Sequence, residues 1–76
     1  MTASFHTPLT ILRRKQVEAR TGLSRSTIYD KINRRSPRYD PTFPTQVRLS
    51  RDAVGWIESE VDAWIASRIR MSRASR

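Results

Sequence analysis

The sequence has no cysteine, only one histidine, and about half as many acidic residues as basic ones, 7 against 15. Without cysteine the chain can form neither disulfides nor thiolate zinc sites. The single histidine, His6, lies in an N-terminal segment that offers no second metal ligand. We therefore expect no metal centre and no other cofactor.

Long apolar runs are also missing. No stretch approaches the roughly 20 apolar residues that a membrane-spanning helix needs. The segment Met1 to Pro8 lacks the basic start and apolar centre of a secretory signal peptide. These absences predict a soluble, intracellular protein without a membrane partner.

Acidic side chains cluster in sequence only at Glu58, Glu60 and Asp62. These three positions fall in the first turn of a predicted helix, where carboxylates complement the positive end of the helix dipole. A structural role explains them fully, so we predict no catalytic residues and no enzymatic activity.

What the chain has in excess is positive charge, with a net charge of +8 over 76 residues. Such a balance points to a polyanionic partner. A membrane surface is disfavoured because the last predicted helix carries Glu60 and Asp62 rather than a basic stripe. RNA is disfavoured because Trp56 and Trp64 are predicted to point inward instead of stacking on bases. Double-stranded DNA is the favoured partner.

A helix-turn-helix is predicted in the first half of the chain. Helix one runs from about Arg14 to Thr21 and ends at Gly22, since glycine takes the left-handed conformation without a steric penalty. Ser24 is the predicted N-cap of helix two, which runs from Arg25 to about Arg34. Leu23 lies between the two helices and is predicted to fill the corner.

Helix two has an apolar face and a polar face. Ile28 and Ile32 lie four residues apart and are predicted to point inward, towards Val17 of helix one. At about 100° per residue, the opposite face and its flanks carry side chains suited to base edges. The predicted base-contacting residues are Arg25, Ser26, Thr27, Tyr29, Asp30 and Asn33.

The second half predicts a wing. Three prolines between Ser36 and Pro44 predict an extended connection, in which Phe43 is the better core candidate than Tyr39. The period of two that follows predicts a β-hairpin with one apolar face. That face would carry Val47, Leu49, Val54 and Trp56.

Basic side chains at the edges of these elements are predicted to contact the DNA backbone. Arg48 and the turn residue Arg51 project from the hairpin, and Lys31 lies near the end of helix two. Arg14 and Lys15 stand at the start of helix one, where the helix dipole disfavours cations unless an anion such as a phosphate approaches. The predicted backbone and wing contacts are therefore Arg14, Lys15, Lys31, Arg48 and Arg51.

A third helix is predicted after the hairpin. Ser59 and Asp62 have the spacing of a capping box, with Asp in place of Glu. Behind them an apolar stripe closes the core with Val61, Trp64, Ile65 and Ile69. We predict a flexible lead over residues 1–10, a DNA-binding domain over 11–69 and a basic, disordered tail over 70–76. The predicted fold class is mainly α with a small β-hairpin.

These segments together resemble a known family. They are Ile11-Leu12-Arg13, the run from Thr21 to Tyr29, Phe43-Pro44, Val47-Arg48-Leu49, Val54-Gly55-Trp56 and the run from Ser59 to Ile65. The sequence is similar in these positions to the AlpA family of phage and prophage regulatory proteins. The connection from Ser36 to Asp40 is longer than in the family's shorter members.

The resemblance implies a MerR-like winged helix-turn-helix that regulates transcription of a prophage or mobile element in the bacterial nucleoid, beside RNA polymerase. It also implies an alternative, an excisionase that bends DNA at an attachment site beside integrase. Both use the same DNA-binding surface, so the sequence leaves both open. Because the apolar stripe of helix three is needed for the core, we expect monomers in solution that assemble cooperatively on DNA.

Overall fold

The computed structural model describes residues 9–74, which form three helices and a three-stranded antiparallel sheet. The strands are ordered β1-β3-β2. In chain order the elements are β1 (Ile11–Leu12), α1 (Arg14–Thr21), α2 (Arg25–Ile32), β2 (Val47–Ser50), β3 (Ala53–Ile57) and α3 (Glu58–Ala74). This is a mixed α/β domain consistent with a winged-helix-like fold, with more sheet than the predicted hairpin alone.

The predicted corner between α1 and α2 is confirmed. Gly22 has a φ of 77° and donates its backbone N–H to the carbonyl of Glu18 at 2.8 Å. The Ser24 hydroxyl oxygen accepts the backbone N–H of Thr27 at 3.2 Å and so caps α2. Leu23 is partly buried against the core. Two local signals, one stop and one start, therefore fix the angle between the helices.

The predicted end of α2 was two residues too late. The helix stops at Ile32 because Asn33 adopts an extended conformation, with φ −91° and ψ 110°. The Asn33 side-chain oxygen instead accepts the backbone N–H of Arg35 at 3.0 Å. This local bond competes with helix continuation, as asparagine side chains often do.

Strand β1 was not predicted, since two residues are too few to show a period. Ile11 pairs with Ile57 and Leu12 with Trp56. Gly55 makes room for this strand, because a Cβ there would overlap the Cγ2 of Ile11 and lie 2.9 Å from the backbone oxygen of Leu12. The strand adds a third member to the sheet and places Leu12 in the core.

The predicted apolar face of the hairpin was wrong for the residues of β2. Ser50 pairs with Ala53 at the turn. The pairing is irregular between Ser50 and Arg48, and this shifts the register of β2 against β3. As a result, Arg48 pairs with Val54 and Val47 pairs with Gly55. A shift of one residue exchanges the two faces of a strand. Val47 therefore lies on the face opposite to Trp56, and Leu49 is 45% exposed.

The core lies between the helices and the inner face of the sheet. It contains the predicted Val17, Ile28, Phe43, Trp56, Val61 and Trp64 together with Leu12. Phe43 packs edge-on against Trp64, with ring centroids 4.9 Å apart. Tyr39 is 37% exposed, as the preference for Phe43 predicted. Ile69 is 45% exposed, so the predicted core stripe ends at Ile65.

Helix α3 begins one residue before the predicted cap and continues beyond residue 69, the predicted limit of the domain. Strand β3 leads directly into it, and the backbone N–H of Glu58 donates to the carbonyl of Thr10 at 2.8 Å. A backbone carbonyl therefore accepts the first N–H of the helix. Ser59 lies inside the helix and is not its N-cap. At the other end, residues 70–74 are helical rather than disordered. The remaining predicted tail, 75–76, and positions 1–8 of the predicted lead lie outside the described residues.

Asp40 anchors the connection between α2 and β2. Its carboxylate accepts the indole N–H of Trp64 at 3.2 Å and the backbone N–H of Thr42 at 2.9 Å, and it lies 4.0 Å from the ammonium of Lys31. Burial raises the pKa of Asp40, but the hydrogen bonds from Thr42 and Trp64 and the charge of Lys31 outweigh it, so the pKa is lowered overall.

This lowered pKa predicts a loss of stability in acid. Because the folded pKa lies below the unfolded value of about 3.9, ionised Asp40 stabilises the fold above that pH, and the stabilisation disappears as pH falls through the folded pKa. In urea unfolding, Asp40→Asn should be less stable than wild type at neutral pH, and the difference should shrink in acid. Asp52→Asn, at an exposed position, is the control. A difference that is independent of pH would refute this role.

Candidate nucleic-acid interface

The candidate recognition face is the polar side of α2. Arg25 and Ser26 are exposed in its first turn, Tyr29 is 37% exposed, and the Asp30 side chain is 39% exposed. The guanidinium of Arg25 lies 5.9 Å from the ring centre of Tyr29. The Thr27 hydroxyl is 2.9 Å from that of Ser24 and so belongs partly to the helix cap.

A groove separates this face from the wing. It has a volume of about 410 Å³ and is lined by Arg13, Arg14, Lys15, Tyr29, Asp52 and Val54. The groove therefore joins the start of α1, the flank of α2 and the wing in one basic surface. Its three cations outnumber its single carboxylate, which favours an anionic partner such as the DNA backbone.

Arg13 was absent from the predicted contacts. It is the N-cap residue of α1, and its Nε donates to the carbonyl of Val54 at 3.0 Å, which ties the wing to the helix-turn-helix. Its signal in the sequence was the run of three basic residues that it opens. The contact with Val54 depends on the folded wing, which the sequence pattern does not reveal.

The start of α1 is positively charged. Its first turn has no acidic residue, and the backbone N–H of Arg13 donates to the Gln16 side chain at 2.8 Å. Arg14 pairs with Glu18 one turn later, and Lys15 is exposed. A positive helix end with exposed cations is favourable for a phosphate.

The other predicted backbone contacts lie in two different places. Arg48 and Arg51 are exposed near the wing tip, where Arg48 donates from its Nη1 to the Arg51 carbonyl at 3.1 Å. Lys31 lies on the side of α2 that faces α3. Its ammonium is 5.6 Å from the ring centre of Trp64, and its contact with DNA stays a prediction.

Two acidic residues of α3, Glu58 and Asp62, bind α1. Arg20 donates to Glu58 at 2.6 Å and to Asp62 at 3.4 Å. The hydrogen bond with Glu58 and the charges of both carboxylates outweigh desolvation and raise the pKa of Arg20. These carboxylates therefore join two helices and lie in an ion-pair network.

Comparison with known proteins places this chain in a family. The family model described as "Prophage CP4-57 regulatory protein (AlpA)" matches residues 10–69, most of the described chain. The chain belongs to the AlpA family. This is a family of regulators, not of enzymes.

Two relatives show how far the AlpA similarity extends. The DNA-binding transcriptional activator AlpA of Escherichia coli strain K12 is 49% identical over 61 residues, which cover 80% of this chain and 87% of that protein. An uncharacterised protein, ORF88 of Enterobacteria phage P4, is 47% identical over 58 residues, or 76% of this chain and 59% of that protein. No solved structure matches the chain.

Within the described residues, no helix combines the length and apolar character needed to cross a membrane.

Proposed function

We propose that this protein is a sequence-specific, DNA-binding regulator that activates transcription of a prophage or mobile element. The polar recognition face of α2, next to the basic groove, carries the proposal. The name of the Escherichia coli relative, a DNA-binding transcriptional activator, favours activation over the excisionase alternative.

In the proposed complex α2 enters the major groove of double-stranded DNA. Arg25 and Ser26, in its first turn, are placed to reach base edges, followed by Tyr29 and Asp30. The start of α1 and the wing then meet phosphates, in a MerR-like arrangement. Phosphate contacts set the orientation, and base contacts set the sequence preference.

The size of the domain supports assembly of several copies on DNA. A single module buries only about 600 to 1,000 Å² of protein surface on DNA, which provides limited specificity. Val61 and Trp64 of α3 are already used in the core. We propose monomers that bind adjacent sites cooperatively, in the bacterial nucleoid and close to RNA polymerase.

Footprinting across the promoters and the ends of the resident mobile element tests the regulator role. We expect protection upstream of a promoter and higher expression from a reporter that carries this segment. A scrambled segment of the same length is the control. Protection confined to direct repeats at an attachment site, phased near about 10.5 bp and strongly bent in a circular-permutation assay, would instead establish the excisionase role.

A further inference from the structure

The connection after α2 carries three arginines that the proposed contacts do not use. Arg34, Arg35 and Arg38 are all exposed, and the Arg38 side chain is 75% exposed. Successive turns order their backbone. The N–H of Ser36 donates to the carbonyl of Asn33 at 2.9 Å, and the N–H of Arg38 donates to the Ser36 hydroxyl at 3.0 Å.

This basic connection is fixed to the end of the recognition helix. The backbone N–H of Asp40 donates to the carbonyl of Lys31 at 2.9 Å, and the Asp40 carboxylate is bound by Trp64 and Thr42. The three arginines therefore lie in a segment whose two ends, Asn33 and Asp40, are held by hydrogen bonds. Binding would require little additional ordering of the backbone.

The connection and the wing lie on opposite flanks of α2. Tyr29 lines the groove that faces α1 and the wing, whereas Lys31 faces Trp64 and Asp40. Side chains two positions apart on a helix point about 200° away from each other, so Tyr29 and Lys31 point in nearly opposite directions. The Asp30 carboxylate, between them, lies 3.7 Å from Arg38. Arg38 is thus at the edge of the recognition face.

We propose that Arg34, Arg35 and Arg38 form a second phosphate-binding surface, here called the loop arm. This inference rests on the proposed function, because it needs α2 in the major groove. The DNA major groove is about 12 Å wide and has one phosphate strand along each wall, so an α-helix with a diameter of about 10 to 12 Å fills it. The loop arm contacts one strand, while α1 and the wing contact the other.

The chemistry of the loop arm suits phosphate. The planar guanidinium of arginine donates two parallel hydrogen bonds to phosphate oxygens. The pair between Arg38 and Asp30 is exposed, so it contributes little to stability. Arg38 exchanges this carboxylate for a DNA phosphate on binding.

The salt dependence of binding to a short duplex of mixed sequence tests the loop arm. The triple variant Arg34→Ala, Arg35→Ala, Arg38→Ala should have a slope of log K against log salt that is shallower by about 0.9 for each phosphate that the variant no longer neutralises. The control is Arg68→Ala, Arg70→Ala, Arg73→Ala, which removes the same charge from exposed positions of α3. Its slope should stay near wild type, and both variants should keep the wild-type melting temperature.

The outcomes separate this inference from the proposed function. Wild-type protein without salt-dependent binding to duplex DNA would overturn both. Wild-type binding with equal slopes in the two triple variants would overturn only the loop arm.

Directed DNA cleavage tests the placement on two strands. Because the chain has no cysteine, one introduced cysteine is a unique attachment point for an iron–EDTA cleavage reagent. Pro37→Cys places the reagent beside the loop-arm arginines, and Asp52→Cys places it at the wing. On the footprinted site, cleavage should fall on opposite walls of one major groove. Cleavage along the same wall would overturn the two-strand arrangement.

Discussion

Replacing Trp64 with alanine is expected to remove a large part of the protein's stability and to lower its melting temperature strongly. Removal of a buried tryptophan costs about 3 to 5 kcal/mol, and domains of ordinary stability have only about 5 to 15 kcal/mol. Trp64 packs edge-on against Phe43, donates its indole N–H to Asp40 and lies beneath the Lys31 ammonium. One truncation therefore weakens α3, the connection and the end of α2 together.

Thermal unfolding followed by circular dichroism measures this effect. Tyr39→Ala is the matched control, since Tyr39 is an aromatic residue on the same connection but is 37% exposed. We expect the control to melt close to wild type. Trp56→Ala should be as damaging as Trp64→Ala, because Trp56 is fully buried. An unchanged melting temperature in Trp64→Ala would show that α3 does not close the core.

The sequence was most informative where the structural signals are local. Gly22 and Ser24 act within one helical turn, so the corner between α1 and α2 could be predicted to the residue. The directions of the two faces of α2 were predicted by taking Ile28 as inward-pointing, and Ile28 is fully buried. The composition and placement of the candidate recognition face depend only on these three positions and on helical geometry.

The features that could not be predicted depend on distant contacts. The first residue of α3, Glu58, is held by the carbonyl of Thr10, which lies 48 positions earlier in the chain (58 − 10). The hairpin register depends on an irregularity near Leu49, beside the contact of Gly55 with Ile11. The loop arm acquires its position from Asp40, whose partners lie on two different helices. None of these contacts has a periodic signature.

The distribution of ion pairs explains how so basic a chain folds and still presents positive charge. In the described part of the chain, five carboxylates lie in ion pairs with basic residues, namely Glu18, Asp30, Asp40, Glu58 and Asp62. Those of Glu58 and Asp62 join α1 to α3. The acidic residues thus largely neutralise cations within the fold, and the excess charge remains on exposed surfaces suited to a polyanion.

Replacing Arg25 with alanine is expected to relax sequence preference at one base pair by about 1 to 3 kcal/mol. Arg25 is the first residue of α2, it is exposed, and its guanidinium lies over the ring of Tyr29. The start of a recognition helix is the part that reaches base edges, where arginine forms paired hydrogen bonds with guanine. The loss should therefore be concentrated at one position of the binding site.

Competition binding on the footprinted site and its single-base variants measures this preference. Lys15→Ala removes the same charge from the start of α1, where the proposed partner is a phosphate, so it should weaken binding to specific and mixed-sequence DNA alike. Arg25→Ala should instead weaken specific binding more, and make the variants at one base pair nearly equivalent. If Arg25→Ala lowers affinity for both DNAs by the same factor, Arg25 contacts only the backbone, and sequence must be read by other residues of α2.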